Sequence, residues 1–141
     1  MQQLIEFAGN HAILVAAFFG TLAALAYTEI ARRRVTFKTL DSNQAVAYIN
    51  GEDVHILDLS SSADFAKGHI VEAENMALSR IKDPGPELSA LLNQSLLLTC
   101  KNGQISTQAA ALLTKQGAQK VAVLRGGVEQ WASDNFPLTR K

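Results

Sequence analysis

Hydrophobic and polar positions divide the chain into two regimes. From Phe7 to Thr28 there are 22 residues without Asp, Glu, Lys or Arg, and Ala12 to Tyr27 is apolar apart from Gly20 and Thr21. As a helix this stretch rises about 33 Å, the depth of a bilayer core. Past it, short apolar runs alternate with longer amphipathic ones. The pattern therefore predicts a membrane anchor with a basic flank over residues 1–34, its transmembrane helix at about 7–28, and one domain over 35–141.

Within the domain, "VTFK" (Val35 to Lys38) predicts a short first strand. Asp41 caps a helix through Asn50 with Gln44 as its capping-box partner, and Ala45, Val46 and Ile49 form its apolar face. "VHILDLS" (Val54 to Ser60) reads as a strand burying Val54, Ile56, Leu57 and Leu59, followed by a short helix from Ser62 to Lys67 in which Phe65 packs on the core. "DPGPE" at Asp83 breaks regular structure before a helix near Glu87. "SLLLT" and "KVAVL" are two further strands. Between them lies a helix from Ser106 to Gln116, capped by Ser106 and ended by Gly117; a last helix after "RGG" carries Trp131. Strands separated by helices at this spacing predict an α/β fold, a central mostly parallel sheet flanked by helices. Ligands of such sheets bind in the loops after the strands' carboxyl ends, where Asp58 and Cys100 fall.

The anchor competes with two other readings. A buried soluble helix lacks a polar stripe, and the remaining residues are too few to wrap it. A cleaved secretion signal finds a processing-like "ALA" at Ala24–Ala26, but its positive charge should precede the apolar stretch. Here Glu6 precedes and Arg32–Arg34 follow. The positive-inside rule then places the amino terminus outside and the domain in the cytoplasm. A single cysteine excludes an intramolecular disulfide and fits a reducing compartment. His11, His55 and His69 are scattered, so no metal or other cofactor is expected, and nothing in the composition suggests nucleic-acid binding.

The chemistry centres on "LLLTCKNGQIST", Leu96 to Thr107. If the strand ends at Thr99, the residues after Cys100 turn the chain around with Gly103 easing the bend. A turn curled over the sulfur points several backbone amides at it, and the next helix adds its first-turn amides. Both arrangements stabilise negative charge on sulfur, whether as thiolate, the reactive form, or as a persulfide, Cys–S–S⁻. A cysteine after Leu-Leu-Leu-Thr also reads as a small buried hydrophobe, and the pattern alone leaves both readings open. A cysteine phosphatase needs an arginine six positions past the nucleophile, where Ser106 stands. Thioredoxin-like exchange needs a second cysteine, and a papain-like hydrolase needs a histidine base that neither His55 nor His69 clearly offers. Sulfur transfer needs one cysteine only.

At this point the chain resembles the rhodanese family of sulfurtransferases. "ILDLSSSADFAKGHIVEAENM" (Ile56 to Met76) is similar to the family's strand-Asp element, its Phe-x-x-Gly-His-Ile and a later Asn. "CKNGQISTQAAALLTKQGAQKVAVLRGGVEQW" (Cys100 to Trp131) is similar to its active-site loop, helix, strand and Gly-Gly-x-x-x-Trp ending. The resemblance implies that Cys100 takes sulfane sulfur and yields it to a thiophilic acceptor. It implies that Lys101, Asn102, Gly103, Gln104 and Ile105 form the loop cradling the persulfide, with Ser106 and Thr107 at the polar start of the helix below. Asp58, His69, Gly126, Gly127 and Trp131 are implied as structural support. Two positions depart from the family: Ile105, where active members commonly carry arginine or another polar residue, and Ser60, where many carry arginine. Thiosulfate is a dianion, so these losses weaken its attraction, with Lys101 compensating in part. The expected donor is a small or protein persulfide. The alternative is a noncatalytic, membrane-tethered rhodanese-fold module binding a membrane or cytoplasmic protein.

Overall fold

The computed structural model describes residues 1–33 and 37–140, without the side chains of Arg32 and Arg33. Arg34 of the basic flank and Val35 and Thr36 of the expected first strand lie outside the described residues. By internal contacts the chain divides into two units, residues 1–35 and 36–141.

The first unit contains helices α1 (Gln2–Asn10) and α2 (Ala12–Arg33). The apolar stretch is thus not one helix over 7–28. At His11 the backbone leaves helical geometry (φ −129°, ψ 45°), and the helix apolar and long enough to cross a membrane runs from Ala12 to Ala31. None of that window is buried, so the buried-helix reading fails; Ile13, for instance, is 85% exposed.

The second unit is built on strands β1 (Lys38–Leu40), β2 (Val54–Asp58), β3 (Glu74–Asn75), β4 (Ser95–Thr99) and β5 (Val121–Leu124). They form one sheet in the order β1-β5-β4-β2-β3, with every described pairing parallel. β1 begins at Lys38, and Phe37 before it is outside the strand. Parallel neighbours require crossovers. These are α3 (Ser42–Gly51), α4 (Ser62–Lys67), α5 (Leu78–Lys82), α6 (Pro86–Leu91) and α7 (Gln104–Lys115), with α8 (Gly127–Ser133) closing the fold. The Asp41–Gln44 capping box forms at α3.

All five residues of β4 are buried, which explains its unbroken apolar run. Side chains alternate across the sheet. Leu57, Leu96, Leu98 and Val123 share one core with Ile81, Leu88 and Leu113. Ile56, Leu97, Ala122 and Leu124 share the other with Ala45 and Trp131. Helices therefore cover both faces, and the carboxyl end of β4 opens between those of β2 and β5. Cys100 follows there.

Candidate functional site

Cys100, the chain's one cysteine, is reversed into α7 by a very short loop. Gly103 is the residue that makes this possible. It stands at the helix N-cap with φ 90°, in the left-handed region, which side chains disfavour. Ser106 does not cap the helix. It lies inside the first turn, fully buried, and its hydroxyl donates to the Gly103 carbonyl at 3.0 Å, as Thr107's does at 2.9 Å. The capping role passes to Asn102, whose Oδ1 accepts from the Gln104 N–H at 3.1 Å.

This geometry aims the Gly103 N–H at Cys100 Sγ, 3.0 Å away. It is the one backbone amide bonded to sulfur among the described residues, where several were expected. The Gln104 amide bonds to Asn102 Oδ1 instead. Ser106 Oγ lies 3.6 Å from Sγ and Asn102 Oδ1 3.9 Å. A protonated thiol donates toward these oxygens. Once the thiol is deprotonated, a rotation of the Ser106 hydroxyl brings a second donor to sulfur.

The loop is held from behind by the Gly126–Gly127 turn. The Val128 and Glu129 amides donate to the carbonyls of Cys100 (2.9 Å) and Lys101 (3.0 Å). The packing is so close that a Cβ on Gly127 would sit 2.2 Å from the Cys100 oxygen. The resemblance implied these glycines as structural support; their contact with the cysteine loop becomes visible only in three dimensions.

Around this centre, Lys101, Asn102, Gln104 and Ile105 are exposed, Ile105 by 40%. Cys100 itself is 1% exposed. A groove of about 500 Å³ flanks the loop, lined by Asn102, Gly103, Gln104, Thr107 and Arg125 among others. Arg125 is a cation that sequence reading passed over. The available signal was its position just after β5, the strand beside the cysteine-bearing β4. Lys101 also acts on Asp64 at the start of α4. That carboxyl is held below the usual carboxylate range, first by a hydrogen bond from Ser61 and then by Lys101 and Lys67. A smaller pocket of about 230 Å³, lined by Lys38, Tyr48, Glu52 and Lys120 among others, lies at the amino ends of β1 and β5, away from the cysteine.

Among the described residues, no other candidate side chain is hydrogen-bonded to the sulfur. Asp58 is fully buried. Its Oδ1 accepts from the Ser60 N–H at 2.8 Å, whereas Oδ2 has no partner. Asn75 bridges the Asp58 and Ser60 carbonyls, fixing the exit from β2. His69 is buried and stacked on Phe65, ring centroids 3.7 Å apart. Its Nδ1 is 2.7 Å from the Phe65 carbonyl, and its backbone exchanges hydrogen bonds with Thr139. Trp131 packs on Phe136 and donates to the Pro137 carbonyl.

Comparison with known proteins agrees with this architecture. Residues 41–134 match the model of the rhodanese-like domain. The chain is 34% identical to YibN of Escherichia coli K12 across 99% of both proteins. It is 36% identical to the thiosulfate sulfurtransferase GlpE of Stutzerimonas stutzeri over 67% of this chain and 84% of that one. A crystal structure of a rhodanese-related protein from Thermoplasma volcanium superposes with a TM-score of 0.64 at 17% identity, covering 74% of this chain and all of the other.

Proposed function

Because the chain belongs to the rhodanese-like domain family, and relatives in it are sulfurtransferases, we propose that it carries sulfane sulfur on Cys100 as a persulfide. The observation that carries this reading is the Gly103 N–H placed 3.0 Å from Sγ at the end of the central strand. A fixed amide dipole in a water-poor site stabilises negative charge without reorganising.

The Cys100 thiolate attacks the sulfane sulfur of the donor, and the donor's S–S bond breaks. With thiosulfate the leaving group is sulfite, which departs with the bonding pair. The new Cys–S–S⁻ keeps one negative charge in the loop. An acceptor thiolate or cyanide then attacks the terminal sulfur and regenerates the Cys100 thiolate. Because the resting thiol is buried, the loop must part to admit one sulfur atom. Lys101 and Arg125 supply the positive field that draws an anionic donor toward it. Asp58, His69 and Trp131 act as structural support. Their hydrogen bonds hold neighbouring turns, and this reading assigns them no part in the transfer.

In the same reading α2 is a single-pass anchor in a bacterial inner membrane, with the amino terminus outside and the domain in the cytoplasm. Its support is the charge order, Glu6 before the span and Arg32–Arg34 after it. The domain boundary lies near residue 35. A noncatalytic interaction module is favoured by one pair of facts, a thiol only 1% exposed beside Ile105 at 40%. Thiocyanate formation from thiosulfate and cyanide decides between them. The reading expects turnover that Cys100→Ser abolishes, whereas equal rates for both proteins refute it.

A further inference from the structure

The sulfur chemistry leaves the first ten residues unexplained. They form α1, which ends at His11 before the span begins. Placed at about 100° per residue, Gln2, Gln3, Glu6 and Asn10 fall in a single polar arc. Met1, Leu4, Ile5 and Ala8 fall on the opposite side. Among the described residues that apolar side is exposed, Leu4 by 70% and Ile5 by 72%. A helix of nine residues rises about 14 Å, too little to cross a bilayer. It also joins α2 at a point where helical geometry is broken, and α2 alone has the length of a span.

We propose that α1 is an interfacial helix, seated at the outer bilayer surface with Leu4, Ile5 and Ala8 in the boundary between headgroups and acyl chains. The inference rests on the reading of α2 as a membrane span. The span's first residue, Ala12, fixes His11 at that boundary, so a helix ending at Asn10 starts where lipid is the nearest apolar phase. A separate polar arc with an apolar stripe is what such helices present. The segment has no lysine or arginine and keeps Glu6 on its polar arc, so its seating depends on apolar burial and gains no side-chain attraction from anionic lipid.

Site-directed spin labelling of the full chain tests this. In a Cys100→Ser background, single labels replace Gln3, Leu4, Ile5 or Glu6, with Leu22→Cys as the control within the span. The protein is placed in vesicles of phosphatidylethanolamine, with and without phosphatidylglycerol. Labels at 4 and 5 should collide preferentially with oxygen and those at 3 and 6 with a water-soluble nickel chelate, alike in both vesicles. Four nickel-accessible labels overturn the inference, because α1 then stands in water. Labels at 4 and 5 shielded from both agents overturn it in favour of a protein contact, and four oxygen-accessible labels in favour of a longer span. A nickel-accessible label at 22 refutes the span itself and takes the inference with it.

Discussion

Replacing Gly127 by alanine is the sharpest probe of how the cysteine loop is held. The new Cβ would lie 2.2 Å from the Cys100 oxygen and 2.8 Å from Gly103 N, where real Cβ atoms essentially never come within 3.0 Å. Both neighbours are backbone, so no side chain can swing away. The loop must recoil, stretching the bonds from Val128 N to Cys100 O and from Glu129 N to Lys101 O. Two backbone bonds contribute about 0.5–1.5 kcal/mol each, and the left-handed φ of 64° costs an L-residue about 1–2 kcal/mol. The expected loss is about 2–5 kcal/mol, a large part of a domain's total of about 5–15 kcal/mol. Gly117 is the internal control. It also has a positive φ, 108°, but nothing within 4 Å of an added Cβ, so Gly117→Ala should lose only the conformational part. Urea unfolding of the full protein in mild detergent, followed at Trp131, the sole tryptophan, measures both. Equal losses for the two variants would refute the claim that the Gly126–Gly127 turn clamps the loop.

Three further outcomes follow from the same geometry. Arg125→Gln should lower kcat/KM for thiosulfate by about two- to fivefold, the scale of one exposed ion pair, and blunt its salt dependence; unchanged kinetics would remove Arg125 from donor attraction. Ile105→Arg should raise kcat/KM for thiosulfate by restoring a cation at the rim, at a stability cost of about 0.3–1 kcal/mol for a positive charge in the first turn of α7; no gain would mean that the neutral position does not limit thiosulfate use. Ser61→Ala removes the main cause of Asp64's lowered pKa, so its midpoint in an NMR pH titration should move up. Because the folded value is depressed, the stabilisation Asp64 contributes is present above the ordinary carboxylate pKa and disappears as pH falls through the folded one; an unmoved midpoint would contradict this.

Much of the architecture could be read from apolar runs because β4 and β5 are wholly buried, β2 is buried from Ile56 on with Val54 half-buried, and all three are flanked by turn-forming residues. β3 could not. It is two residues, Glu74 and Asn75, in register with Leu57 and Asp58 of β2, and neither residue type carries a strand signal. The break at His11 was missed although Gly9 and Asn10 before it are turn-forming residues, because the uncharged run from Phe7 to Thr28 reads as one unit. At the site, Cys100 and Gly103 were identifiable from their place after an apolar strand. The start of α7 was misplaced because Ser106 is a residue type that caps helices, whereas here it turns inward and leaves capping to Asn102. The clamp of Gly127 on the loop and the placement of Arg125 beside it depend on β4 and β5 lying side by side, which no local pattern encodes.

The most direct test of Cys100 as a sulfur carrier is the intact mass of the full protein after exposure to thiosulfate and, separately, to a low-molecular-weight persulfide. The account predicts a gain of one sulfur atom with at least one donor, reversed by a reducing thiol and absent in Cys100→Ser. An unchanged mass with both donors, or the same gain in Cys100→Ser, would contradict it.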